Sequence, residues 1–161
     1  MKNFSIELTN AVESDCAHSM EQLMKSKRSQ DFSDLLALLK RDADGSYSKV
    51  KALYALGRWG DESAIKPIVD IIPTLNELER VTAVDALGRL GSTNALDGVL
   101  DLKGDPSPHV RKFVIRALSR FKKPQAEKEL KRIQKEDEEA FIRDYAGKYV
   151  SQKKPKKKPT K

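Results

Sequence analysis

The six residues ALGRWG at 55–60 return as ALGRLG at 86–91, and in blurred form as ALSRFK at 117–122. Each step is 31 positions. A fixed period between about 20 and 50 residues is the signature of a solenoid, in which each unit buries its apolar face on its neighbours. No other feature constrains the chain as tightly. Any function has to be carried by stacked repeats.

Within the period, Ala52, Ala55, Leu56 and Trp59 fall at i, i+3, i+4 and i+7, one face of a helix. The same columns hold Ala83, Ala86, Leu87 and Leu90, then Val114, Ala117, Leu118 and Phe121. Small residues in the Ala55 column let two helix backbones approach. Gly57 and Gly88 serve the same purpose, at about 1 kcal/mol each of helix propensity. Gly60 and Gly91 end the helix, as residues free to take positive φ. Asp61 and Ser92 then stand where a second helix needs an N-cap, and Pro124 takes the first-turn position in the third copy.

The second helix shows Ala64, Ile65, Ile68, Val69 and Ile72, echoed by Ala95, Leu96, Val99 and Leu100 and more weakly by Ala126, Leu130 and Ile133. Pro73, and later Gly104 with Pro106, separate the units. New starts are expected at 74–77 and at Asp105 with Pro106. The segment 32–41 matches a second helix whose partner falls near 11–27, and 141–150 resembles a lone first helix shifted by one residue. The count is about nine helices, in four pairs plus a C-terminal capping helix.

The order of a basic start, then A-x-x-A-L-G-x-x-G-D, then an apolar second helix resembles a HEAT repeat. The closest variety is the HEAT-like subfamily named after phycobilisome (phycocyanobilin) lyases. The pattern is spelled by 49–61, 80–92 and 108–122. The resemblance implies an all-α fold, a right-handed α-solenoid. It is specific for fold and poor for function, because such repeats serve enzymes, adaptors and nucleic-acid binders alike. The expected organisation is a solenoid over 1–150, with its clearest units at 46–75, 76–105 and 106–136, and a basic tail over 151–161.

The net charge of +7 suggests nucleic acid until it is located. Six of those charges lie in the tail, on Lys153, Lys154, Lys156, Lys157, Lys158 and Lys161, leaving +1 for 150 residues. The solenoid body is therefore not a uniform polyanion cradle. Pro155, Pro159 and the lack of apolar residues predict a disordered tail. Solubilising role, nucleic acid, acidic protein and anionic membrane all remain open for it. No stretch approaches the ~20 apolar residues of a membrane span. Residues 1–10 lack the apolar run of a secretory signal, and Cys16 has no second cysteine to pair with. A reducing, cytoplasmic location is expected.

Catalytic chemistry has few candidates. His18 precedes Ser19 and His109 precedes Val110, so neither forms the His-Glu pair by which HEAT-like deoxyhypusine hydroxylases bind iron. One cysteine with two distant histidines makes no zinc set, and no phosphate loop or nucleophile elbow is present. No catalytic residue, metal or cofactor is assigned. Trp59 shares its column with Leu90 and Phe121 and is expected in the core. Tyr54 shares a surface column with Asp85 and Arg116 and is a candidate anchor for a partner. Basic residues recur at Lys49, Arg80 and Arg111 and at Arg58, Arg89 and Arg120, a recurrence open to a phosphate-binding ladder as well as to arginines tied to acidic partners between layers. Asp70 and Asp101 each precede an arginine of the first set by ten residues, and ion pairs between layers are expected from that offset.

The second helices are expected to line one continuous surface. Their outward columns read Lys66, Asp97, Lys128 and Asp70, Asp101, Arg132, with both signs present. The function expected is a non-catalytic scaffold that binds a protein partner there. Two alternatives stay open: a nucleic-acid binder led by the tail, and a phycobilin lyase-like or phycobilisome-related factor.

Overall fold

The computed structural model describes residues 29–40 and 48–152, and every regular element among them is helical. In chain order these are α1 (Ser29–Leu39), α2 (Ser48–Trp59), α3 (Ile65–Ile71), α4 (Glu77–Leu90), α5 (Thr93–Asp101), α6 (Pro108–Arg120), α7 (Pro124–Glu136) and α8 (Ala140–Gln152). Single 3-10 turns at Glu62–Ala64 and Ile72–Thr74 bracket α3. The fold is an all-α solenoid: α2, α4 and α6 are first helices, α3, α5 and α7 their partners, and α1 is the second helix of the preceding unit. The helix expected near 11–27 lies outside the described residues, and so do Cys16 and His18.

Local chemistry sets the boundaries. Asn76 opens α4 with a reciprocal box: its Oδ1 accepts from the Glu79 N–H at 3.0 Å, and Glu79 Oε2 accepts from the Asn76 N–H at 2.9 Å. Gly60 and Gly91 take φ of 79° and 70°, the left-handed conformation that closes α2 and α4. Asp61 Oδ1 then accepts from Ser63 N at 2.9 Å, and Ser92 caps α5 through Ala95 N. The third unit has Lys122 in place of glycine, and the chain leaves α6 through an extended Phe121. The start of α6 differs from the expectation at Asp105 and Pro106. Ser107 is the cap and Pro108 the first helical residue, while Asp105 Oδ1 accepts from Ser107 N at 2.9 Å.

The first helices pack against one another most closely, α2 on α4 and α4 on α6. A Cβ added to Gly57 would lie 2.6 Å from Ala86 Cα, and one on Gly88 would lie 2.7 Å from Ala117 Cβ. Only hydrogen fits at either place. Leu56, Leu87 and Leu118 are wholly buried under these contacts, each contributing ~1.5–3 kcal/mol by leaving water. Trp59 is core, its ring 6.0 Å from that of Phe32 in α1.

At the C-terminal end the stacking changes. Ser119 stands in the glycine column, and α8 packs chiefly on α7 and less on α6. Gly147 meets the Gln134 side chain of α7, whose Nε2 would lie 3.2 Å from an added Cβ. The helix also runs through Gln152, and Ser151 Oγ donates to Gly147 O at 2.8 Å. Ser151 and Gln152 therefore belong to α8 and not to the basic tail.

Two arginines stitch the units together, with partners other than those expected from sequence. Arg80 donates through Nε and Nη2 to Asp105 at 2.7 and 3.1 Å, and through Nη1 to Leu75 O at 3.0 Å. Arg111 repeats the arrangement one unit on, gripping Asp137 at 2.9 and 3.1 Å and Asp105 O at 2.9 Å. Each guanidinium thus ties the turn before its own helix to the turn after the next. Asp70 and Asp101 are exposed and take no part. The Arg111–Asp137 pair is nearly enclosed, with 5% and 6% of the side chains exposed. Such a pair persists because its remaining donors and acceptors are satisfied. Among the described residues no buried side-chain nitrogen or oxygen lacks a partner.

Candidate functional site

The outward face of α3, α5 and α7 carries six of the seven residues expected to meet a partner. Lys66 and Asp70 lie one turn apart on α3 and pair with each other at 2.9 Å. Both are largely exposed, so the pair contributes about 0.3–0.5 kcal/mol and leaves no net charge. On α7, Arg132 is held inside its own helix, by Glu129 at 2.6 Å and Glu136 at 3.3 Å. Lys128 is exposed and has no ion-pair partner among the described residues.

Like Lys128, Asp97 and Asp101 on α5 keep their charges unmatched, and the two share one helix. Both are exposed, and neither has a side-chain hydrogen bond or an ion pair among the described residues. They sit one turn apart, where like charges repel by about 0.2–0.5 kcal/mol. Asp101 is also the last residue of α5, and no basic residue occupies that last turn. A carboxylate there faces the negative end of the helix dipole, at a further cost of about 0.3–1 kcal/mol. The helix places both aspartates in water because the opposite face is committed to the core through Ala95, Leu96 and Val99. Gly98, between them, admits Val69 of α3, whose Cγ2 would lie 2.7 Å from an added Cβ. Backbone and packing are thus fully used. The two charges stabilise nothing in the fold.

Tyr54 does not join this surface. It lies on α2, in the first-helix layer, 38% exposed with the Arg58 guanidinium 4.4 Å above its ring. The sequence reading overlooked the glutamates that neutralise Arg132, although their i−3 and i+4 spacing was visible. Asp85, expected in a surface column, is instead half-buried and accepts from Arg89 Nε at 2.8 Å and from Arg120 Nη1 at 2.9 Å. Burial by itself would raise the Asp85 carboxyl. The hydrogen bonds from Arg89 and Arg120, with their charges, outweigh burial and hold it below the ordinary carboxylate value.

Among the described residues no group of three or more histidine, cysteine or acidic residues could hold a metal ion. His109 is exposed, its Nδ1 3.1 Å from Glu77 Oε1. No helix among the described residues is long and apolar enough to cross a membrane.

Residues 73–148 match the family model described as HEAT repeats. The match runs from the turn before α4 into α8, and it supports a HEAT-repeat protein. No curated protein matches the chain.

Proposed function

We propose that this protein is a non-catalytic, cytoplasmic interaction scaffold whose second-helix surface holds a protein partner. The observation that carries the reading is the unpaired Asp97–Asp101 couple on α5. Fixed on a rigid helix, two carboxylates one turn apart suit a pair of basic side chains on a partner. Lys66 with Asp70 on one flank, and Lys128 with Arg132 on the other, give that partner groups of both signs to match. HEAT repeats commonly act as protein-interaction scaffolds, in keeping with the general use of solenoid surfaces. The lysines of the tail add charge steering without geometry, raising the rate of encounter more than the selectivity.

Affinity purification with three baits tests this reading: the intact chain, the D97K/D101K variant and a chain lacking 153–161. The scaffold reading expects one set of proteins to be retained by the intact and tail-less baits and lost with the variant. Retention of the same proteins by all three baits, or their loss with the tail alone, contradicts it.

A further inference from the structure

The second-helix surface is hollow at one place. Between the ends of α5 and α7 lies an open cavity of about 250 Å³, whose lining includes Lys103, Gly104, Arg132, Ile133, Glu136 and Glu138. Sites that take a whole small molecule run to about 300–1,000 Å³, so this one has room for a single side chain. Its floor is Ile133, which is buried and held in the core. Gly104 keeps the mouth open, because nothing lies within 4 Å of a Cβ added there. An apolar floor under a polar rim suits a long side chain with a methylene stem and a charged head.

The rim decides the sign of that head. Arg111 is shared by Asp137 at 2.9 Å and Glu138 at 3.0 Å, and Arg132 by Glu129 at 2.6 Å and Glu136 at 3.3 Å. Four carboxylates thus divide two guanidiniums. Lys103, exposed and without an ion-pair partner among the described residues, reduces the surplus to one negative charge. The C-terminal ends of α5 and α7 both open here, and each adds about half a negative charge. Outside the cavity the charges of Arg143 and Glu139 offset, as do those of Lys135 and Asp101, none of which lines it. The side chains of Glu136 and Glu138 are 60% and 76% exposed, so both carboxylates remain open to a ligand.

We propose that this cavity anchors one arginine side chain of the protein partner, with its stem on Ile133 and its guanidinium between Glu136 and Glu138. The proposal rests on the scaffold reading for the owner of that arginine: Asp101 ends α5 two residues before Lys103, so a partner seated on the aspartates reaches the cavity mouth. Arginine fits better than lysine, because its planar fork donates to two carboxylates at once and sheds water more readily than an ammonium. A side chain enclosed in a pocket beside an exposed charged surface is where binding energy concentrates.

The test is a titration of the isotope-labelled full chain with Nα-acetylarginine amide, followed through amide NMR shifts. Saturable shifts are expected at Lys103, Gly104, Ile133 and Glu138, with a millimolar Kd, and none with the uncharged Nα-acetylcitrulline amide. E136Q/E138Q should weaken the arginine about tenfold. K103E, which adds a carboxylate at an exposed position, should strengthen it about threefold and decides the matter should the double variant melt abnormally. No saturation with the arginine compound, equal binding by E136Q/E138Q and the parent, or equal binding of the citrulline compound would overturn the proposal. So would shifts of the same amides with inorganic phosphate and not with the arginine, which would assign the cavity to an anion. The two readings fail separately. Arginine binding by a chain whose D97K/D101K variant still retains the same proteins refutes the scaffold surface and keeps the guanidinium site, whereas loss of those proteins without any arginine binding refutes the cavity alone.

Discussion

Gly88→Ala tests the packing of the solenoid with a single methyl group. In an open helix the change stabilises, because alanine exceeds glycine by about 1 kcal/mol in helix propensity. Here the new Cβ would sit 2.7 Å from Ala117 Cβ and 2.9 Å from Ala117 Cα. Ordinary carbon contacts lie near 3.5–4.0 Å, so α4 and α6 must part by about 0.7 Å. A gap of that size forfeits about a quarter to a half of the dispersion well of every facing pair. Overpacking of this kind costs about 1–3 kcal/mol. After the propensity gain is subtracted, Gly88→Ala should be up to about 2 kcal/mol less stable than the parent. Gly88→Leu, with more to accommodate, should lose about 3 kcal/mol. Gly104→Ala is the control, because nothing lies within 4 Å of its added Cβ, and it should shift stability by less than about 0.5 kcal/mol. Urea melts followed by circular dichroism read all three. A Gly88→Ala chain as stable as the parent, or more so, would refute the claim that first helices meet backbone to backbone.

Asp137→Ala leaves the Arg111 guanidinium buried without its principal carboxylate and should cost about 3 kcal/mol in the same melts, and a cost below 1 would mean the stitching contributes little. Lys66→Ala, which breaks only an exposed pair, should change stability by less than about 0.5 kcal/mol. The Asp85 carboxyl lies below its ordinary value in the fold, so its contribution is fully present above pH ~3.9 and is lost as pH falls through the lower folded value. Asp85→Asn should accordingly be less stable than the parent at neutral pH and converge with it in acid, and thermal melts showing a gap independent of pH would contradict this.

Much of the fold was written in the sequence as columns. Leu56, Leu87 and Leu118 repeat at the spacing that buries them, and Gly60 and Gly91 mark helix ends because only their φ closes the turn. The inter-unit ion pairs were harder to read. The constant offset of Asp70 and Asp101 before an arginine is real, but both lie on the outward side of their helices. The actual partners, Asp105 and Asp137, sit in turns whose register slips by one residue between units. A strict 31-residue period cannot align them. The lean of α8 on α7 was hidden for a related reason: Ser119 and the one-residue shift of 141–150 matter only once two helices compete for contact. On the candidate surface, sequence put Lys66, Asp70, Asp97, Asp101, Lys128 and Arg132 in outward columns but could not rank them. The ranking depends on which charges are already paired, and it leaves Asp97, Asp101 and Lys128 in front.

The central claim is that the body selects the partner and the tail only speeds the encounter. The most direct measurement is the binding kinetics of a captured protein partner, over a salt series, with the intact chain, D97K/D101K and the chain lacking 153–161. The account predicts faster dissociation for D97K/D101K at every salt concentration. For the tail-less chain it predicts slower association only, with the loss shrinking as the Debye length falls from ~10 Å at 0.1 M to ~3 Å at 1 M. Unchanged dissociation for D97K/D101K, with the whole affinity lost on removing the tail, would contradict it.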